Sequence, residues 1–136
     1  GAKRFENWES FFAGRLGLSA AIDYALGIGI EAIEVRVQTL AARLRDELKA
    51  LDGVRVADRG ARLSAIVTFG KDGEPAPALA ARLKHQGINV SVSSLGSARL
   101  DFPQRGIESL VRASVHYYNT DAEVDRVVEA VAERAG

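Results

Sequence analysis

The sequence predicts an α+β domain of two layers, a four-stranded sheet with helices mainly on one face. Three observations predict this class. Two segments with helical periodicity open the chain, four short apolar or β-branched segments follow, and two more helical segments alternate with those. Because 136 residues with 47% hydrophobic content can build one core, residues 1–136 are expected to form a single domain.

Two helices are expected in the N-terminal third. Residues from about Phe11 to Ile28 are rich in Ala, Leu and Gly, a composition suited to close packing. The next segment repeats apolar residues at intervals of three and four from Ile33 to Leu51, the pattern of an amphipathic helix. Gly53 is expected to end it, because glycine is favoured just past a helix C-terminus.

The first two strands are expected at Val54 to Ala57 and at Leu63 to Phe69. The second is rich in β-branched and apolar residues, so it is expected to be central in the sheet. Pro75 and Pro77 follow a glycine-containing turn. They indicate the start of a short helix, because proline is tolerated in the first helical turn.

The C-terminal third alternates strands with a loop and a last helix. Ile88 to Val92 alternates apolar and polar residues, so one face of this strand is polar. Ser94 to Gly106 has little periodicity and is expected to form a loop long enough to be functional. The last strand, Leu110 to Val115, precedes a capping box of Thr120 and Glu123 that starts the final helix.

Arg112 is the most informative residue, because it interrupts an apolar strand. Alternation puts it on one face with Leu110 and Ser114, while Val111 and Ala113 face the other way. A guanidinium removed from water needs an anion, and its planar fork of donors matches a carboxylate. A structural pair with Asp or Glu and a binding site for a ligand both fit this pattern. Because no helix is expected over this face, another domain or subunit is expected there.

Composition excludes several function classes. Eighteen basic and eighteen acidic residues give zero net charge, so nothing indicates a nucleic-acid or anionic-membrane partner. No apolar segment approaches the roughly 18 residues of a membrane span, and no signal-peptide pattern opens the chain, so a cytoplasmic location is expected. With no cysteine and only His85 and His116, no metal site is expected.

Several segments resemble the C-terminal small domain of class V aminotransferases. These pyridoxal-phosphate (PLP) enzymes of fold type I include cysteine desulfurases, isopenicillin-N-epimerase-like proteins and C–S lyases. The matching segments are Arg4 to Glu6, Leu16 to Tyr24, Gly87 to Ser91, and Arg112 to Ser114 followed by Tyr118 to Thr120. Together they cover essentially the whole chain in the order of the family.

The resemblance implies that Arg112 binds the α-carboxylate of an amino-acid substrate, and that Ser93, Ser94 and Arg99 help to set specificity. It also implies that the Schiff-base lysine lies in a large PLP-binding domain of the same polypeptide, outside these residues. No catalytic residue is therefore expected in this chain, which alone should not transaminate. The parent enzyme is expected to be a homodimer.

The chain departs from the family pattern in two places. Cysteine desulfurases carry a nucleophilic cysteine in the loop matched by Ser91 to Ala98, and this chain has none, which excludes persulfide chemistry on these residues. Family members often have a Gly-Thr pair after the first motif, whose hydroxyl reaches the cofactor phosphate of the partner subunit. Here Asn7 or Ser10 is the candidate replacement, although Glu9 would repel a phosphate. Trp8 is interpreted as a packing or interface residue.

Two other functions are compatible with the residues. A stand-alone amino-acid-binding module could use Arg112 for a carboxylate without any cofactor. A dimerisation module could pair the same arginine with an acidic residue across an interface. Neither explains the ordered set of family matches.

Overall fold

The computed structural model describes residues 1–6 and 10–133. Its elements are a 3₁₀ helix (Ala2–Phe5), α1 (Phe12–Ile28), α2 (Ile30–Lys49), β1 (Val54–Val56), β2 (Ile66–Lys71), α3 (Ala76–His85), β3 (Ser91–Ser94), α4 (Asp101–Gln104), β4 (Ser109–Ser114) and α5 (Asp121–Ala132). The predicted order is confirmed, with two short helices added. The chain divides into two compact units, Gly1–Ile33 and Glu34–Gly136, so the boundary falls inside α2.

The N-terminal unit consists largely of α1, a helix with apolar residues on all sides. Over 17 residues only Arg15 and Asp23 are charged, and no residue of α1 is buried. Large apolar side chains are exposed along its length: Phe12, Leu16, Leu18, Ile22, Tyr24, Leu26 and Ile28. A helix that is apolar all round normally packs against other protein. No single helix in the described residues combines the length and apolarity needed to cross a membrane, although α1 and α2 together meet those two criteria.

The C-terminal unit contains one antiparallel sheet with the strand order β1-β2-β4-β3. The predicted central position of β2 is confirmed. On one face lie Val67, Phe69 and Val111, all fully buried, and helices α2, α3 and α5 cover them. On the other face Ile66 and Arg112 are exposed. The α+β fold with helices mainly on one side of a four-stranded sheet is therefore confirmed.

The third strand begins three residues later than the sequence predicts. The backbone N–H of Ile88 donates to the carbonyl of Leu83 at 2.9 Å, and that of Gly87 donates to Lys84 at 2.9 Å. Gly87 has a φ of 76°, so these residues form a Schellman cap that closes α3. Ile88 is buried by this cap, and pairing with β4 starts only at Ser91.

The capping box at the start of α5 is confirmed. The Thr120 side chain accepts a hydrogen bond from the Glu123 backbone N–H at 3.2 Å, and the Thr120 N–H donates to the Glu123 carboxylate at 2.8 Å. We expect Thr120→Ala to lower the free energy of unfolding by about 1 kcal/mol, measured by urea titration. Thr39→Ala is the control, because this exposed hydroxyl donates only to the carbonyl of Val35 within α2. An equal loss in both variants would contradict the capping role.

A buried carboxylate links α3 to the turn after β2 and makes stability depend on pH. Glu74 is 7% exposed and accepts hydrogen bonds from Arg82 at 2.8 and 2.9 Å. The guanidinium of Arg82 lowers the pKa of Glu74 below its ordinary value of 4.5. Because the folded pKa is depressed, this stabilisation is complete above about pH 4.5 and is lost as pH falls through the folded value.

We therefore expect Glu74→Gln to reduce the pH dependence of the free energy of unfolding in the acid range. The gap between wild type and variant should be large near neutral pH and should narrow as acid protonates Glu74. Urea titrations at several acidic and neutral pH values measure this gap. Glu129→Gln, at an exposed position of α5, should follow the wild-type curve. A gap that is constant with pH would contradict this account.

Candidate active site

Arg112 lies on the uncovered face of the sheet, in the middle of three adjacent strands. Thr68 on β2 and Ser91 on β3 are its directly opposite neighbours. Its side chain is exposed, whereas helices α2, α3 and α5 pack on the opposite face of the sheet. Within residues 1–6 and 10–133, no hydrogen bond or ion pair involves the Arg112 guanidinium. Its donors are therefore available to a group from outside the described chain.

Hydroxyl groups flank Arg112 on both sides. Directly opposite residues in antiparallel strands share a face, so Thr68, Ser91 and Arg112 form a row across the sheet. The Thr68 hydroxyl donates to the Asp58 carboxylate at 2.5 Å, and its backbone N–H donates to the same oxygen at 2.8 Å. With its proton used in this way, the Thr68 oxygen can act only as an acceptor toward a cation or an N–H donor.

The structure separates the other predicted substrate residues. Ser93 shares the face of Arg112, two residues along β3 from Ser91, and is half-buried. Ser94 is the next residue, so its side chain points to the opposite face. Arg99 is exposed in the turn before α4. In the described part of the chain, no hydrogen bond joins any of these three residues to Arg112.

Of the two predicted phosphate contacts, Asn7 lies outside the described residues and Ser10 lies inside them. Asn7, together with Trp8 and Glu9, lies outside the described residues. Ser10 is exposed in the N-terminal unit just before α1, and its carbonyl accepts from the Phe12 N–H at 2.8 Å. Its proposed role toward a phosphate remains a prediction.

The C-terminal unit, to which Arg112 belongs, contains three of the four lysines, and none of these three contacts Arg112 in the described residues. Lys3 and Lys84 are exposed, and Lys49 pairs with Asp46 at 3.5 Å on α2. Lys71 is on the covered side of β2, where its ammonium donates to the Val131 carbonyl at 2.5 Å. In the ranges that the structure describes, no group of three or more metal-ligating side chains is found either. Within the described part of the C-terminal unit, the face that carries Arg112 therefore offers donors for an anion.

The residues after Arg112 build a tight turn. His116 is exposed and stacks on Tyr118 with ring centroids 4.3 Å apart. The His116 backbone N–H donates to the Asn119 side chain at 2.8 Å, and the Asn119 carbonyl accepts from Arg36 at 3.0 Å. The motif therefore connects β4 to α5 with a fixed geometry, which fixes the end of the strand that carries Arg112.

A cavity of about 480 Å³ adjoins the row of Thr68 and Arg112. Thr68 lines it, together with Ile66 and Leu110 from the same sheet face. The sequence pattern did not predict this cavity. Two of its four arginines, Arg59 in a connecting segment and Arg105 just after α4, do not belong to a periodic segment.

Comparison with known proteins shows which family the sequence of this chain matches. The family model described as Aminotransferase class-V matches residues 3–127. A probable cysteine desulfurase from Xylella fastidiosa strain Temecula1 is 37% identical over 128 residues, which cover 94% of this chain and 30% of that protein. The chain thus spans about a third or less of the length of such relatives.

Solved structures give the same result for the fold. The apo cysteine desulfurase from Thermococcus onnurineus NA1 superposes with a TM-score of 0.87 and 29% identity, over 96% of this chain and 32% of that one. A C-DES variant with glycine covalently linked to its PLP cofactor has a TM-score of 0.75 at 22% identity, over 99% of this chain and 32% of that one.

Proposed function

Because this chain belongs to the class V aminotransferase family, we propose that it is the small domain of a longer PLP-dependent enzyme that acts on an amino acid. In this proposal Arg112 binds the α-carboxylate of the substrate, and the chain contributes part of the interface with the large domain or with a second subunit. One observation carries it: Arg112 stands on the uncovered sheet face without a partner among the described residues.

Pyridoxal phosphate is the cofactor of this family. When bound, it withdraws electrons from the amino acid that it holds. The described residues of the C-terminal unit fit the carboxylate of such an amino acid and do not fit the aldehyde of the cofactor, because Lys49, Lys71 and Lys84 make no contact with Arg112. We propose that the lysine is supplied by the large domain, and that the chain of 136 residues alone is inactive.

Arg112 would orient the amino-acid substrate. Its planar guanidinium can donate two parallel hydrogen bonds to a carboxylate, which fixes both the position and the rotation of the substrate. Ser91 and Ser93 on the neighbouring strand are on the same face and are candidates for contact with the same ligand. Ser94 and Arg99 remain proposals for specificity that depend on how the loop meets the rest of the enzyme.

Sulfur transfer through a cysteine of this segment is not part of the proposal. Several relatives are described as cysteine desulfurases, but this chain has no cysteine to carry a persulfide. The proposed activity is therefore amino-acid chemistry that needs no thiolate from these residues. Transamination and lyase chemistry both meet that condition.

The exposed α1 supports the interface part of the proposal. A continuous set of exposed apolar side chains on one helix marks a contact with other protein. Leu18, Ile22 and Leu26 recur every fourth residue and are 61%, 48% and 60% exposed. We propose that the large domain or a second subunit covers them in a cytoplasmic homodimer.

The carboxylate assignment is tested with matched ligands. Calorimetry on the full-length protein would compare a substrate amino acid with the amine that lacks its carboxylate, in wild type and in Arg112→Ala. The wild type should prefer the amino acid, and the variant should lose most of that preference. An unchanged preference would overturn the assignment. If the chain of 136 residues alone bound the amino acid equally well, a stand-alone binding module would replace the enzyme proposal.

A further inference from the structure

We propose that the cavity beside Arg112 receives a second negative charge, so that the parent enzyme prefers amino acids with an anionic side chain. This inference rests on the proposed function, since Arg112 is taken to hold the α-carboxylate. It adds a substrate class, and the residue that would select that class is Arg59.

Arg112 does not itself line the cavity, but its cross-strand partner Thr68 does. Ile66, Thr68 and Leu110 line it, and all three belong to the uncovered face. Thr68 is directly opposite Arg112, so their Cα atoms are about 4.5 to 5.5 Å apart. A ligand whose carboxylate meets Arg112 therefore has its remaining atoms within reach of this cavity.

The lining of the cavity carries an excess of positive charge. Four arginines and two aspartates contribute to it, which leaves two positive charges unbalanced within the lining. Arg45 forms a salt bridge with Asp58 at 2.7 Å, and Arg105 forms one with Asp101 at 2.7 Å. Both aspartates are thus already neutralised by arginine.

The remaining cations differ in their surroundings. Arg62 pairs with Glu34 at 3.0 Å, whereas Arg59 is exposed and has no ion pair or hydrogen bond in residues 1–6 and 10–133. An unpaired guanidinium at the wall of a concave site attracts a carboxylate, sulfinate or similar anion. Arg59 is therefore the group whose charge is free to select a ligand.

Arg105 is less suited than Arg59 to hold a ligand. Its two terminal nitrogens already donate to Asp101 and to the Ala57 carbonyl, and its Nε atom is buried. Among the described residues, Arg59 therefore remains the arginine of the lining with free donors.

The test compares two acids of equal chain length that cannot react as amino acids. Calorimetry would measure the binding of succinate and of butyrate to the full-length protein. We expect succinate to bind roughly tenfold more tightly, because a charged hydrogen bond is added. In Arg59→Gln this advantage should fall to about twofold or less, while butyrate binding stays at the wild-type value.

Lys84→Gln is the matched control, because it removes one positive charge from an exposed position of α3 on the covered side of the sheet. It should keep the full preference for succinate. Equal binding of both acids by the wild type, or a full preference in Arg59→Gln, would overturn the inference. The Arg112→Ala variant distinguishes the two proposals. If the preference for succinate over butyrate depended on Arg59 but not on Arg112, the proposed function would be wrong, while the proposal of an anion-binding cavity would be supported.

Discussion

Arg112→Ala is expected to lower kcat/KM of the full-length enzyme for its amino-acid substrate by roughly a hundredfold. The change removes two charge-assisted hydrogen bonds to the carboxylate, a loss of about 3 kcal/mol. Since the side chain is exposed and has no partner in the described chain, the fold should be unaffected. Steady-state kinetics measure the effect, and a urea titration checks the fold.

Arg112→Lys refines this expectation. Lysine keeps the positive charge but presents a point charge instead of a planar fork, so an intermediate loss is expected. Lys84→Gln again serves as the control and should keep the wild-type kinetics. If Arg112→Ala stayed within about threefold of wild type, the α-carboxylate would be bound by another group.

Asp58→Asn is expected to cause the second large effect, a loss of about 3 kcal/mol in the free energy of unfolding. Arg45 is 3% exposed and bonds to Asp58 at 2.7 Å, to the Ile66 carbonyl at 2.9 Å and to the Ser64 carbonyl. Removing the counter-charge leaves a buried cation that is only partly compensated by backbone oxygens. Urea unfolding of the chain measures the loss.

The matched control for this pair is an ion pair of the same chemistry on the surface. Glu34→Gln removes the partner of Arg62, whose side chain is 89% exposed. Such pairs contribute little because water screens them, so the expected loss is below about 0.5 kcal/mol. Similar losses in the two variants would mean that Arg45 and Asp58 have no special role in holding β2 beside Arg112.

The elements of the fold that could be predicted are those that a local sequence pattern specifies. The long repeat in α2, the β-branched residues of β2 and the capping box of α5 are each local patterns, and each one formed the predicted kind of element. The bounds of β2 differ from the prediction, because the strand runs from Ile66 to Lys71 and not from Leu63 to Phe69. Alternation along β4 likewise placed Arg112 opposite the core face. These features depend on neighbouring residues in the sequence, which is why the sequence alone contains them.

The features that escaped prediction depend on distant contacts. The third strand starts late because the cap of α3 takes Ile88 into the core. The cavity wall forms because Arg105 reaches the carbonyl of Ala57 at 2.5 Å, 48 positions away in sequence. The division of the chain into two compact units within α2 also has no local signature. A local hydrophobic pattern contains no information about such contacts between residues that are distant in the sequence.

A crystal structure of the full-length enzyme with a bound amino acid tests the central claim most directly. The account predicts that the α-carboxylate lies on the uncovered sheet face, with two hydrogen bonds of about 2.7 to 2.9 Å from the Arg112 guanidinium. A structure in which Arg112 instead pairs with an Asp or Glu of another domain or subunit, with the carboxylate bound elsewhere, would contradict it.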